Sequence, residues 1–408
     1  MDYRECSPER DKDAVLRIFR EVGWLSDDNQ KAYELLMQSA PGLVADIDGT
    51  AECLASWSPG TIRHLSDELP FSGIGAVATS HLARKQGLGG RLTAAAVARA
   101  ATEGAAVVGL GIFDQGYYNQ LGFGNGAYER WFLFDPAILH LTVKHSVPQR
   151  LSIEDWQDIH ALRRRRAQGH GAVNFTDPEF TREGMIERKN AFGLGYRDEA
   201  GTLTHCLWIT ADDLNHGPYV VEMALYREPE QLLELLALLK SLSDQVYLTW
   251  LREPPGIQMQ DLLDKPFRNR RVRERGKFAQ ECRTEATWQV RICDLPACLE
   301  RTHLYLGPVR FNLQLTDPID GYVPQEEDWR GIGGDYIVTL GHDSSARPGS
   351  DASLPTLAAS TNAFTRMWLG VRPATGLSVT DDLSGPAALL ADLDEVLLLP
   401  EPRPDWAF

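Results

Sequence analysis

The residues with the clearest chemical use lie in one turn, Arg84-Lys85-Gln86-Gly87-Leu88-Gly89-Gly90. Its glycines let the backbone approach a ligand closely, and the alanine-rich run that follows predicts a helix. A helix start leaves N–H groups unpaired and carries partial positive charge. With Arg84 and Lys85 as a cationic rim, such a start is a seat for phosphate. The turn therefore points to a ligand that carries a pyrophosphate.

Two common phosphate loops do not fit. The Walker turn needs Lys and then Ser or Thr after its glycines, where this chain has Gly90-Arg91-Leu92. The dinucleotide fingerprint needs a third glycine that Gly87-Leu88-Gly89-Gly90-Arg91-Leu92 lacks. What does fit is Arg-x-x-Gly-x-Gly in Arg84, Gly87 and Gly89. A predicted strand over 74–79 precedes it. A helix, an apolar strand over 107–112 and Tyr117-Tyr118-x-x-Leu121-Gly122-Phe123 follow it. A plain helix cap in an ordinary α/β unit would explain the glycines but not the tyrosine segment. In this order the block resembles the acetyl-CoA site of the GCN5-related N-acetyltransferases (the GNAT superfamily).

That resemblance implies acetyl-CoA as co-substrate, with no metal, and assigns residues to it. Arg84, Lys85, Gln86, Gly87, Leu88, Gly89 and Gly90 would cradle the pyrophosphate. The backbone of Val77, Ala78 and Thr79 would serve the acetyl carbonyl and the pantetheine arm, and Phe113 and Asp114 would flank the cofactor after the second strand. Transfer to an amine needs donors for the oxyanion, a proton for the departing thiolate and both partners held in line. Tyr118 is the implied acid, since a phenol of pKa ~10 stays protonated at pH 7. Tyr117 competes for that role, but the spacing of the resembling family, Tyr-x-x-x-Gly-Phe/Tyr with Gly122 and Phe123, matches Tyr118 and leaves Tyr117 as packing. For the acceptor, Phe19, Trp24, Asp27, Asp28 and Trp57 are candidate lining residues, with carboxylates that attract polyamines. Asp27 and Asp28 read equally as caps of the second helix.

The elements around this block read as three units of mixed α/β structure. The first, 1–146, has helices over 12–21 and 28–39, a hairpin turning at Asp48-Gly49, the phosphate block and a closing strand over 128–134. The second, 147–286, repeats strand–helix–strand, but its turn reads Tyr226-Arg227-Glu228-Pro229-Glu230, where carboxylates and a proline oppose phosphate. The third, 287–408, opens with a strand over 288–293 and contains a polar loop over 342–353. In this order the units resemble the Eis (enhanced intracellular survival) acetyltransferases. Those combine two tandem GNAT folds, the second degenerate, with a C-terminal sterol-carrier-protein-like α/β domain. The resemblance implies a hexameric homo-oligomer, an aminoglycoside-like amine acceptor, and a C-terminal carboxylate, here that of Phe408, acting as base in the active site. The family's acidic residue before its terminal Phe is replaced by Ala407, with Asp405 nearby.

Bulk properties narrow the field. A net charge of −16 over 408 residues argues against nucleic acid as a main partner. No apolar run approaches the ~18 residues of a membrane span, and the first residues lack a signal-peptide pattern. Six cysteines without CxxC spacing read as reduced thiols of a cytoplasmic protein, and the histidines show no metal pattern. The basic runs Arg163–Arg166 and Arg268–Lys277 read as solvated or intersubunit faces. A rival from another class is a non-enzymatic sensor that binds CoA in the first unit and an apolar ligand in the third.

Overall fold

The computed structural model describes residues 3–26 and 29–406, which form three mixed sheets with helices packed on them. The first sheet begins with β1 (Tyr3–Glu5), which pairs with β2 (Gly42–Ile47) after helices α1 (Pro8–Glu21) and α2 (Gln30–Ser39). Asp48 and Gly49 both take positive φ, 51° and 79°, so the two-residue turn follows the strand twist and feeds β3 (Thr50–His64). A second tight turn leads into β4 (Asp67–Thr79). Helix α3 (Leu88–Thr102) then crosses over to β5 (Val107–Gly111), which runs parallel to β4. The alanines of α3 are buried almost throughout, which lets the helix lie close on the sheet.

β3 and β4 are longer than the sequence predicts. Pro59 and Gly60 stay in the ladder opposite Ser72 and Phe71. They mark where a short strand, Val173–Phe175, joins the other side of β3. The carbonyl of Pro59 accepts the N–H of Thr176, and a side chain at position 60 would collide with the Asn174 backbone.

Two further strands lie in sheets other than the expected ones. After β6 (Gly124–Asn125), the strand expected to close the first unit, β7 (Glu129–Phe134), pairs with Thr249–Arg252 and Glu281–Glu285 in the second sheet. Conversely, Trp288–Ile292, read as the opening strand of the third unit, lies in the first sheet between β5 and β6. Every residue of Trp288–Ile292 is buried, so the strand needs neighbours on both edges and cover on both faces. The second sheet also holds the expected parallel pair, Tyr219–Leu225 and Thr249–Arg252, with helix Pro229–Ser241 between them. The third sheet is five-stranded. Its outer strand, Ser345–Pro348, lies inside the segment read as a loop. Three of its four residues are exposed, so no apolar alternation announced it.

Candidate active site

β4 and β5 pair only as far as Gly73 opposite Gly109. Beyond that point β4 keeps β3 on one side, while on the other its backbone diverges from β5. Ala76 takes φ 51° there, and the register against β3 shifts between Leu54 and Ser56. The result is a cleft between two parallel strands, floored by the main chain of Gly75, Ala76 and Val77. The start of α3 stands beside it. Gly87 and Lys85 hold positive φ, 76° and 62°, and no side chain caps the first turn of the helix. A Cβ on Gly89 would lie 2.5 Å from the Tyr117 hydroxyl, so Tyr117 would have to move to admit it. Arg84, Lys85, Gln86 and Gly87 are exposed, while Leu88, Gly89 and Gly90 are buried. Open amides, a cationic rim and the adjoining cleft fit a pyrophosphate with an extended arm. The corresponding helix of the second sheet, Pro229–Ser241, is closed: the Gln231 side-chain oxygen takes the N–H groups of Arg227 (2.8 Å) and Glu228 (3.2 Å) at its start.

The two tyrosines face different places. Tyr117 covers Gly89. Tyr118 is only 3% exposed and borders the central cavity, edge-on to Tyr117 at 4.9 Å and to Phe113 at 5.9 Å. Burial, with Tyr117 and Cys53 adding to it, pushes its hydroxyl above the ordinary phenol range, so it remains a proton donor. The turn that carries it is fixed from outside. Arg291 donates to the Leu121 carbonyl at 2.6 Å and pairs with Asp317 at 2.7 Å, both side chains being buried.

The central cavity has a volume of about 580 Å³. One wall is the β4–β5 cleft with Tyr118. Facing it are Glu129, Trp131, Glu222 and Arg252 of the second sheet. Helices α4 (Trp156–Arg165) and α5 (Glu179–Ile186) close the side with Arg163 and with Phe180 and Glu183, and Glu187 follows one residue beyond α5. Arg252 pairs with Glu129 and Arg188 with Glu222, each at 3.3 Å. Burial, and secondarily Glu187, push the Glu183 carboxyl up to about 8, with Arg163 opposing. A cavity with four carboxylates beside the β4–β5 cleft is suited to holding an ammonium group.

The expected site residues divide. Val77, Phe113, Tyr118 and Trp24 border the cavity. Ala78 is buried in the core beneath α1, the Thr79 hydroxyl meets the Cys53 thiol at 3.2 Å, and Asp114 is exposed on its turn. Phe19 and Trp57 do not reach the cavity. Phe19 is fully buried against Trp24 and Tyr33, and the Trp57 indole donates to Glu103 at 2.8 Å on the far side of the sheet. Asp27, Asp28 and Phe408 lie outside the described residues. The chain leading to Phe408 is firmly docked: Arg166 pairs with Asp405, Arg403 with Glu253 at 3.1 Å, and Trp406 is buried at the cavity wall.

The basic run on α4 is not a solvated face. Arg164 and Arg165 are exposed, but Arg163 and Arg166 are buried toward the site. Positions three apart share a helix face, and that face looks inward here. Sequence reasoning also missed Glu129, Glu183, Glu187, Glu222 and Arg252. The available signals were Glu222 within the apolar strand Tyr219–Leu225 and the four-residue spacing of Glu183 and Glu187.

No protein-family model matches the chain, and no curated protein matches it. Solved structures do, over the whole length. A probable N-acyltransferase of unknown function from Enterococcus faecalis V583 superposes with a TM-score of 0.78 at 18% identity, covering 98% of both chains. A GCN5-related N-acetyltransferase from Kribbella flavida gives 0.74 at 18% identity, covering 100% of this chain and 98% of that one. Eis1 from Mycobacterium abscessus gives 0.76 at 15% identity, with both chains covered completely. The chain thus has the fold of the GCN5-related N-acetyltransferases, Eis1 among them.

Proposed function

We propose that the protein is an acetyl-CoA-dependent N-acetyltransferase acting on a primary amine of a cationic, aminoglycoside-like small molecule. The observation that carries this reading is the divergence of β4 from β5 beside an uncapped glycine-rich helix start, opening into an acidic cavity bordered by Tyr118. Acetyl-CoA lies with its pyrophosphate at Gly87–Gly90 and its thioester in the cleft. The neutral amine attacks the thioester carbon, so that a C–N bond forms and the C–S bond breaks. Backbone N–H groups of β4 stabilise the oxyanion. Tyr118 gives its proton to the departing thiolate and is reprotonated from solvent. The proton lost by the amine goes to a carboxylate, for which the reading takes the terminal carboxylate of Phe408. Docking of the preceding residues from Glu401 to Trp406 supports that choice.

The same reading divides the chain into an acetyltransferase unit (1–146), a degenerate GNAT-like unit (147–286) and a sterol-carrier-protein-like unit (287–408), with strands exchanged across the borders. It includes a cytoplasmic, hexameric assembly. Among the described residues no helix is long and apolar enough to cross a membrane.

The test is thiol release from acetyl-CoA with a panel of polyamines and aminoglycosides. Turnover is expected, falling roughly 10²–10⁴-fold in kcat for Tyr118→Phe with acetyl-CoA affinity retained. Tight acetyl-CoA binding without release to any amine would favour a sensor instead.

A further inference from the structure

Arg163 is the one cavity cation that the described residues leave without a counter-ion. It is 8% exposed and borders the cavity from α4. Its guanidinium carbon sits over the Trp406 ring, 3.3 Å from the centroid. Its side chain makes no hydrogen bond and has no carboxylate at ion-pair distance among the described residues, while its carbonyl accepts from Arg166. Its neighbours are all matched. Arg166 holds Asp405, Asn174 and the Val173 carbonyl, Arg252 holds Glu129, and Arg188 holds Glu222. On the facing helix the situation is mirrored. Glu183 and Glu187, four residues apart, have no cation at ion-pair distance among the described residues. Arg163 and Glu183 feel one another electrostatically without touching.

We propose that Arg163 is a carboxylate receptor, and that the preferred amine acceptor carries a carboxylate as well as its amines. This rests on the acetyltransferase reading and replaces its aminoglycoside-like acceptor with one that also carries a carboxylate. Stacking on Trp406 covers one face of the guanidinium and leaves its N–H edge for an in-plane, two-point contact with a carboxylate. An isolated buried cation is costly, and an arriving anion relieves that cost. Burial and the nearby Arg166 cation press the charged form of Arg163 in the same sense. A plain polyamine answers Glu183 and Glu187 but sets like charge against Arg163. A dibasic amino acid answers both: one ammonium at the glutamates, the carboxylate at Arg163, and the second amine free for acetylation.

Lysine and cadaverine differ only by that carboxylate, so they read the proposal directly. Wild type, Arg163→Met and Arg163→Lys are compared in thiol release, and by calorimetric binding of each amine to the CoA-loaded protein, with thermal midpoints as the folding control. Wild type should prefer lysine. Arg163→Met should lose roughly 10–100-fold in kcat/KM and in affinity for lysine, the scale of one charge-assisted contact, while cadaverine changes less than about twofold. Arg163→Lys should recover part of the loss. Equal losses for both amines would overturn the proposal and assign Arg163 to a carboxylate of the chain itself. No loss for either would overturn it outright. Should Arg163→Met fail to fold, the wild-type preference and Arg163→Lys still decide. If no amine is acetylated, the acetyltransferase reading fails, and the binding measurements judge Arg163 independently.

Discussion

Glu183 shows how a single side chain reports on the site. Burial, reinforced by Glu187, raises its carboxyl from 4.5 to about 8, so at neutral pH the empty site holds mostly the acid. An ammonium beside it favours the carboxylate, lowers the pKa and expels the proton. Binding of a diamine that stays protonated at pH 7 should therefore release up to about one proton. Calorimetry in buffers of different ionisation heat would measure this. The release should vanish at pH 9, where the acid is already ionised, and in Glu183→Gln. Proton uptake, or unchanged release in the variant, would remove Glu183 from the acceptor pocket. The sign for stability is fixed as well. With its folded pKa raised, the group contributes stability at low pH that is lost as pH climbs from 4.5 through about 8. The glycine turn and the Tyr118 wall of the cavity were legible because they are contiguous in sequence: Arg84, Gly87 and Gly89 sit in one turn, and Tyr118 follows one strand later. The acceptor half was not, since Glu183, Glu222 and Arg163 come from three elements whose meeting no local pattern encodes. Arg163 was read as part of a solvated or intersubunit face because charged helix runs usually are, and only packing reveals which two of the four arginines turn inward.

At the scale of elements, the active turn depends on a strand from far along the chain. Arg291, on Trp288–Ile292, reaches from the first sheet to the Leu121 carbonyl and is neutralised by Asp317. Gly122 completes the joint: it holds φ 78°, and a Cβ there would press on the Arg291 guanidinium at 2.9 Å. Asp317 also accepts the N–H of Ile332, so one buried carboxylate links three segments. Asp317→Ala would strand a fully buried guanidinium. We expect a loss of about 3–5 kcal/mol in urea unfolding. Turnover should fall as well at temperatures where the variant is still folded, because the Tyr118 turn loses its anchor. A stability change under about 1 kcal/mol would mean that Arg291 finds another partner or water at little cost. The sequence could suggest neither this pair nor the strand exchange behind it. Trp288–Ile292 and Glu129–Phe134 were both recognised as strands, but period-2 alternation says nothing about which sheet receives a strand.

At the scale of the whole molecule, the sheets share strands across the borders of the sequence units. β5 has Trp288–Ile292 as its neighbour on the side away from β4, and β6 pairs with the same strand. β7 sits in the second sheet between two strands from beyond residue 248. The tail then ties the sheets together: Glu401 bridges to Arg130, Arg403 to Glu253, and the Pro404 carbonyl accepts the Val173 N–H beside β3. A chain cut after Ala286 keeps every residue of the proposed acetyl-CoA seat, so on sequence grounds it should still bind. On structural grounds it should not. The cut exposes the β5 edge, removes Trp288 from the core and Arg291 from behind the Tyr118 turn, and leaves an open strand edge that invites self-association. Residues 1–286 are expected to aggregate, or to bind acetyl-CoA at least tenfold more weakly than the full chain, as read by calorimetry after size-exclusion chromatography. A monodisperse 1–286 with full affinity would show that the strand from the third segment merely covers the first sheet and is not needed to shape it.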